Sequence, residues 1–218
     1  MKMTNDRWID LSHPLVSGMP IYPGDPEYQA RVVSQDTENG FLVHDVSLGL
    51  HSGTHVDGPS HALTNALTIE KLPIDRFVGE ANVIRVMPIG KIIHTNDLDA
   101  LYAELKAPTP RLLISTTHAK NWGKDTYFAA SLEFENDFPD WAKARRLDLI
   151  GADLPTFSFR GNSALLCHQA LFQRGILLLE NLTNLDKLAS RVFLVACPLK
   201  FQGLEASPVR AIAKNNFE

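Results

Sequence analysis

The segment His51-Ser52-Gly53-Thr54-His55-Val56-Asp57 places two imidazoles and a carboxylate within seven residues. If the segment is extended, the side chains at 51, 53, 55 and 57 share one face, because strand side chains alternate with period two. The rings and the carboxylate then converge, and Gly53, having no side chain, leaves room between the histidines for an ion. This mixture of nitrogen and oxygen donors suits zinc or manganese. The plainer reading has both histidines hydrogen-bonded in a loop and Asp57 opening the Gly58-Pro59 turn. Three ligand-type residues so closely spaced, followed by His61, favour the metal.

His61 lies four residues beyond Asp57, across Gly58-Pro59-Ser60, and the turn can return its ring toward the ion. An unperturbed pKa of about 6.5 suits a general acid/base in metal-assisted hydrolysis; a further ligand or a surface histidine is the alternative. Glu180 follows the apolar run Ile176-Leu177-Leu178-Leu179, so it emerges at the C-terminal end of a buried strand, where sites of α/β sheets lie. A carboxylate buried there needs a cation or several donors to offset its desolvation. His168 sits within Leu165-Leu166-Cys167-His168-Gln169-Ala170-Leu171, where a hydrogen-bonded core histidine is the default. His13, His44, His94 and His118 have no comparable neighbours and read as structural or surface groups. The two cysteines, Cys167 and Cys197, form no C-x-x-C motif and read as buried free thiols. Cys167 and His168 make a poor nucleophile pair, since neighbours on a helix point about 100° apart.

The elements that must hold these residues follow from periodicity. A strand over 41–50 has Leu42, Val46, Leu48 and Leu50 on one face and Asp45, Ser47 and Gly49, leading into His51, on the other. Shorter strands are expected near 8–15 and 31–34, separated by a loop rich in proline and glycine. Downstream, 82–86, 111–115, 147–151, 175–179 and 192–196 read as strands, with helices over 95–106 and 163–173. A strand-rich N-terminal half and α/β alternation in the C-terminal half define an α/β fold class.

A chain of 218 residues suits one substantial core, so 1–218 reads as a single domain. With 44% hydrophobic and 21% charged residues it is not a disordered chain. A net charge of -4 and no long basic run argue against nucleic acid or anionic membrane as a partner. The N-terminus lacks the apolar segment of a signal peptide and no run reaches membrane-spanning length, so a cytoplasmic location is expected.

Asp10-Leu11-Ser12, Tyr22-Pro23-Gly24-Asp25, the block from His51 to His61, His168, Glu180-Asn181-Leu182 and Ser207-Pro208-Val209-Arg210 span nearly the whole chain. Together they resemble the cyclase family of metal-dependent hydrolases, which includes bacterial kynurenine formamidases, isatin hydrolases and trans-dienelactone hydrolases. The resemblance implies a swivelling β/β/α fold and two divalent ions, zinc or manganese. One would be bound by His51, His55 and Asp57 and the other by His168, with Asp57 and Glu180 able to bridge both and His61 as the catalytic histidine. It also implies a homo-oligomer, a dimer or tetramer, in which a neighbouring subunit's loops can help to close the site.

The short bacterial formamidases match this chain in length and carry a similar Pro-Gly-Asp loop. Where they typically have a substrate-contacting tryptophan before that loop, this chain has Tyr22, whose smaller ring can still stack on an aryl group. Phe157 and Phe159 are further aromatic candidates for the pocket. The implied reaction is hydrolysis of N-formylkynurenine or a related aryl formamide. The same attack would open a cyclic amide or lactone, and a non-catalytic metal-binding protein is a remoter reading that His61 argues against.

Overall fold

The computed structural model describes residues 8–36, 40–161 and 163–215. In chain order its strands are β1 (Ile9–Asp10), β2 (Gln29–Asp36), β3 (Phe41–Ser47), β4 (His55–Asp57), β5 (Val78–Arg85), β6 (Ile92–Ile93), β7 (Arg111–Ser115), β8 (Glu133–Phe134), β9 (Leu149–Ala152), β10 (Leu177–Glu180), β11 (Arg191–Val195), β12 (Ala206–Pro208) and β13 (Ile212–Lys214). The helices are α1 (Thr95–Ala103), α2 (Phe138–Ala144) and α3 (Ala164–Gln173). The class is mixed α/β, as the sequence indicates, with strands far outweighing helices.

The continuous apolar runs form the centre of a nine-stranded sheet of order β1-β13-β11-β5-β7-β9-β10-β4-β12. Strands β5, β7, β9 and β10 are mutually parallel, and the flanking pairings are antiparallel. Parallel strands are covered on both faces, which is why their sequences are apolar at successive positions rather than alternately. Leu112, Ile114, Ile150 and Leu178 enter one core, with Cys167, Leu171 and Phe172 of α3 and the ring stack Phe134, Phe138 and Phe157. Leu113, Leu149, Leu177 and Leu179 enter the other, with Val56, Phe77, Val192 and Leu194.

Register on this sheet positions the chemistry. Strand β4 runs antiparallel beside β10, with His55 opposite Glu180 and Asp57 opposite Leu178. By the period-two alternation, His55, Asp57, Leu178 and Glu180 therefore share the face covered by α3, while Val56, Leu177 and Leu179 point the other way.

Two local expectations are corrected. The strand over 41–50 ends at Ser47, and all of β3 is exposed, because it pairs with β2 as a separate two-stranded hairpin. Its alternating pattern does not hide one face: Leu42 and Val46 are as open as Phe41 and Val43. Helix α2 lies in a stretch not singled out by periodicity, although Phe138, Trp141 and Ala142 follow i, i+3, i+4 spacing and Pro139 occupies its first turn. No helix among the described residues is long and apolar enough to cross a membrane.

The close approach of β9 to its neighbours depends on Gly151, where an added Cβ would lie 2.7 Å from Leu113 Cδ2 and 2.9 Å from Leu182 Cδ1. Gly151→Ala should therefore cost about 1–3 kcal/mol by overpacking. Urea unfolding monitors this, and an unchanged midpoint would show that the strands are not packed this tightly.

Candidate metal centre

The ligand-type residues converge by a route the sequence did not suggest. Residues 51–54 are not extended; the chain turns there, with Gly53 at φ 62, and only His55–Asp57 form strand. Gly53 is thus required for a left-handed turn, and a side chain on it would lie 2.7 Å from Leu15 Cδ2 rather than filling a gap between histidines. The turn folds His51 back until its Nδ1 lies 2.9 Å from Asp57 Oδ1.

His55 Nε2 lies 3.3 Å from Asp57 Oδ1 and 3.5 Å from Glu180 Oε2. From α3, His168 Nε2 reaches to 3.1 Å from Glu180 Oε1 and 3.4 Å from Asp57 Oδ2. His61 ends a 3-10 turn, Pro59–His61, with its ring centroid 4.3 Å from that of His51 and 5.4 Å from that of His168. All the residues singled out by sequence as ligands or proton carrier thus surround Asp57.

The donor set fits a divalent cation. Both oxygens of Asp57 and Nε2 of His55 are buried without a properly directed hydrogen bond. The short distances around them are therefore approaches, not donor–acceptor pairs, and leaving such groups unpaired is costly. Ligands bound at about 2.0–2.2 Å to one ion lie about 3.0–3.5 Å from one another, which matches the spacing around Asp57. The outer ring nitrogens are fixed as donors, since carbonyls only accept: His55 Nδ1 donates to Gly53 O at 2.9 Å and His168 Nδ1 to Ala164 O at 2.8 Å. In the neutral rings each Nε2 then turns its lone pair to the carboxylates, as metal-binding histidines require, whereas a protonated His168 donates from Nε2 to Glu180 Oε1 at 3.1 Å.

Among the described residues, two groups bring ligand atoms within 4.8 Å of one another: His51, Asp57 and His61, and His55, Asp57 and Glu180. Asp57 belongs to both. His61 thus stands beside His51 at one side of Asp57, and His168 lies beside Asp57 and Glu180 at the other.

Burial alone would lower the pKa of His55, but the charge of Asp57 and then of Glu180 raises it to about 9. Burial likewise opposes protonation of His168, yet contacts with Asp57 and Glu180 lift it to about 10. Despite its own burial, Asp57 is held well below the carboxylate range by the surrounding histidines. Protons on histidine here balance the charge that a divalent cation would balance. His61, open to solvent on one side and flanked by the cluster on the other, is shifted downward by burial and by its histidine neighbours, with Asp57 opposing.

The cluster floors a cavity of about 310 Å³ walled by Pro20, Tyr22, Phe128, Thr156 and Leu165. Tyr22 meets Phe128 edge to face, with centroids 5.6 Å apart. Phe157 and Phe159 do not line this cavity; both side chains are in the core, and the Phe157 backbone N–H instead donates to Glu180 Oε1 at 3.1 Å. Cys167 is buried, and burial pushes its thiol pKa up, which closes the nucleophile reading; Cys197 is only partly buried. Phe128 and Glu205, whose Oε1 lies 3.5 Å from His51 Nε2, were not anticipated, and nothing in their sequence surroundings marks them.

A mixed α/β fold with a histidine–carboxylate cluster beside the C-terminal end of a parallel strand defines a protein with a candidate metal centre. The model of the Cyclase family, described as "Putative cyclase", matches residues 9–158. The chain is 31% identical over 215 residues to a kynurenine formamidase of Bacillus thuringiensis subsp. konkukian (strain 97-27), covering 97% of this chain and 99% of that one. The protein belongs to the cyclase family. Its fold matches that of isatin hydrolase A from Ralstonia solanacearum, with a TM-score of 0.86 at 22% identity over 97% of this chain and 93% of that one. A potential metal-dependent hydrolase with cyclase activity gives a TM-score of 0.80 at 24% identity over 97% and 99% of the respective chains.

The folded pKa values of His55 and His168 lie above the free value of 6.5, so the stability they contribute is fully present below pH 6.5 and is lost as pH rises through about 9 and 10. Metal-free protein should melt at lower temperature as pH rises from 6.5. Added zinc or manganese should raise the melting temperature, more so at about pH 8.5, where fewer protons compete. Asp57→Asn should abolish that rise. A melting temperature indifferent to metal at every pH would show that the cluster is not a cation site.

Proposed function

We propose that this protein is a metal-dependent, arylformamidase-like hydrolase acting on N-formylkynurenine or a related aryl formamide. The observation carrying the reading is the buried, unpaired Asp57–His55 pair facing an aromatic-walled cavity with His61 at its edge. The family relatives named kynurenine formamidase support it over nearly the full chain.

In this reading His51, His55, His168, Asp57 and Glu180 hold two divalent ions, zinc or manganese. Ions held there supply a lowered pKa for a water, from 15.7 toward about 7, and polarise the formyl carbonyl. His61 takes a proton from the attacking water and returns one to the leaving arylamine nitrogen, giving formate and the arylamine. Its downward-shifted pKa keeps the imidazole neutral and able to accept. Tyr22 and Phe128 offer ring faces and edges to the aryl group.

The isatin-type alternative, opening of a cyclic amide, uses the same residues. It is favoured by Tyr22, which replaces the tryptophan typical of the short formamidases and reshapes the wall against which an aryl ring rests. Both substrates are small molecules.

The protein acts as a homo-oligomer in this proposal, a dimer or tetramer. The β2–β3 hairpin supports that, since Val32, Phe41, Leu42, Val43 and Val46 are all exposed on it. An isolated two-stranded hairpin is marginally stable in water, and apolar residues open on both of its faces are suited to packing against another subunit.

Metal-stripped protein restored with zinc or manganese should release formate from N-formylkynurenine. His61→Ala should lower kcat by about 10²–10⁴-fold while retaining metal. Turnover unchanged in that variant would sink the assigned role, and isatin opening without formate release would select the cyclic-amide reading. Replacing Phe41 and Val43 with lysine should yield monomers by sedimentation velocity; an unchanged oligomer would place the interface elsewhere.

A further inference from the structure

Asn181 follows Glu180 directly and adopts a left-handed backbone, φ 56, which asparagine tolerates better than most residues. It is buried, and all its polar groups are engaged. Its N–H donates to Leu154 O at 2.9 Å, and its carbonyl accepts from Thr54 Oγ1 at 2.6 Å. In the side chain, Nδ2 donates to Gly53 O at 3.1 Å and Oδ1 accepts from the Tyr127 hydroxyl at 2.6 Å. The amide orientation is determined by chemistry, because the Gly53 carbonyl can only accept.

Gly53 O is also the acceptor for His55 Nδ1 at 2.9 Å. A continuous buried chain therefore runs from the Tyr127 hydroxyl through the Asn181 amide to the Gly53 carbonyl and ends on the His55 ring. Tyr127 is itself fixed, with its carbonyl accepting from His118 Nε2 at 2.9 Å and its ring edge-on to Trp122 and Phe128. The same asparagine thus ties together the turn that orients one ligand-type histidine and the chain immediately after one ligand-type carboxylate. Hydrogen bonds linked in series in a buried setting polarise and stiffen one another.

We propose that Asn181 and Tyr127 are positioning residues that set the affinity of the His55–Glu180 site for a divalent cation, by clamping the Gly53 carbonyl that holds His55. The inference rests on reading the cluster as a metal centre. It assigns a task to two side chains outside the ligand-type cluster, of which Asn181 also reaches the cavity wall.

Asn181→Gly removes the amide while accommodating the left-handed backbone, and Tyr127→Phe removes the hydroxyl while keeping the ring. Zinc and manganese affinities of the folded proteins are measured by competition with a chromophoric chelator, alongside metal-free melting temperatures. Asn181→Gly should weaken binding by about 10–100-fold, and Tyr127→Phe by a smaller factor in the same direction. The double variant, which leaves no unpaired hydroxyl, should recover metal-free melting temperature without recovering affinity. Affinity within about twofold of wild type in the variants, or restored along with stability in the double variant, would reduce the chain to a structural role and overturn the proposal. If Asn181→Gly fails to fold, Tyr127→Phe decides by the same criterion. Absence of metal binding in the wild type would instead overturn the site reading beneath it.

Discussion

A carboxylate enclosed by protein, with neither oxygen in a directed hydrogen bond, is the constraint from which the rest of this architecture follows. Asp57 is 1% exposed and lies within 3.5 Å of nitrogen atoms from His51, His55 and His168. Such a group needs compensating positive charge, and in the metal-free chain protonated histidines provide it. His55 and His168 are held by backbone carbonyls on their far sides, so their near nitrogens point inward whatever neutralises the cluster. Orientation is fixed by the fold before any cation arrives.

The sheet makes that possible by inserting the short β4 antiparallel against the last parallel strand. The antiparallel register sets His55 directly across from Glu180 and leaves Asp57 two residues away on the same face. Helix α3 then covers this face, delivering His168 from the same element whose Cys167, Leu171 and Phe172 fill the core. Packing and chemistry are therefore one layer: the apolar contacts that seat α3 also set how far His168 reaches.

The chemistry was largely legible in the sequence, the geometry less so. Histidine and carboxylate types at short spacing mark the ligand block, and an apolar run ending in glutamate marks a buried strand exit; both signals survive because they depend on residue type. The central strands 111–115 and 175–179 were legible for the same reason, as burial on both faces leaves nothing but apolar residues. What failed needed tertiary information. Gly53 is a turn residue, not a gap, because Leu15 packs against it from a distant part of the chain. The alternation in β3 marks a strand but does not say what covers its faces, and among the described residues nothing in the main sheet does. Phe157, a candidate for the pocket, enters the core, and the unanticipated Phe128 forms a cavity wall, since an aromatic residue in sequence carries no sign of which side it will face. Asn181 stood in plain view beside Glu180, yet its partners, Gly53 and Tyr127, are remote in sequence.

Counting ions decides whether Asp57 is shared by two cation positions. Metal-free chain would be dialysed against zinc or manganese and the bound metal determined per chain, for wild type and for His51→Ala and His168→Ala. Two ions in the wild type and one fewer in each variant is the expected result. A single ion insensitive to both substitutions, or none, would contradict the account.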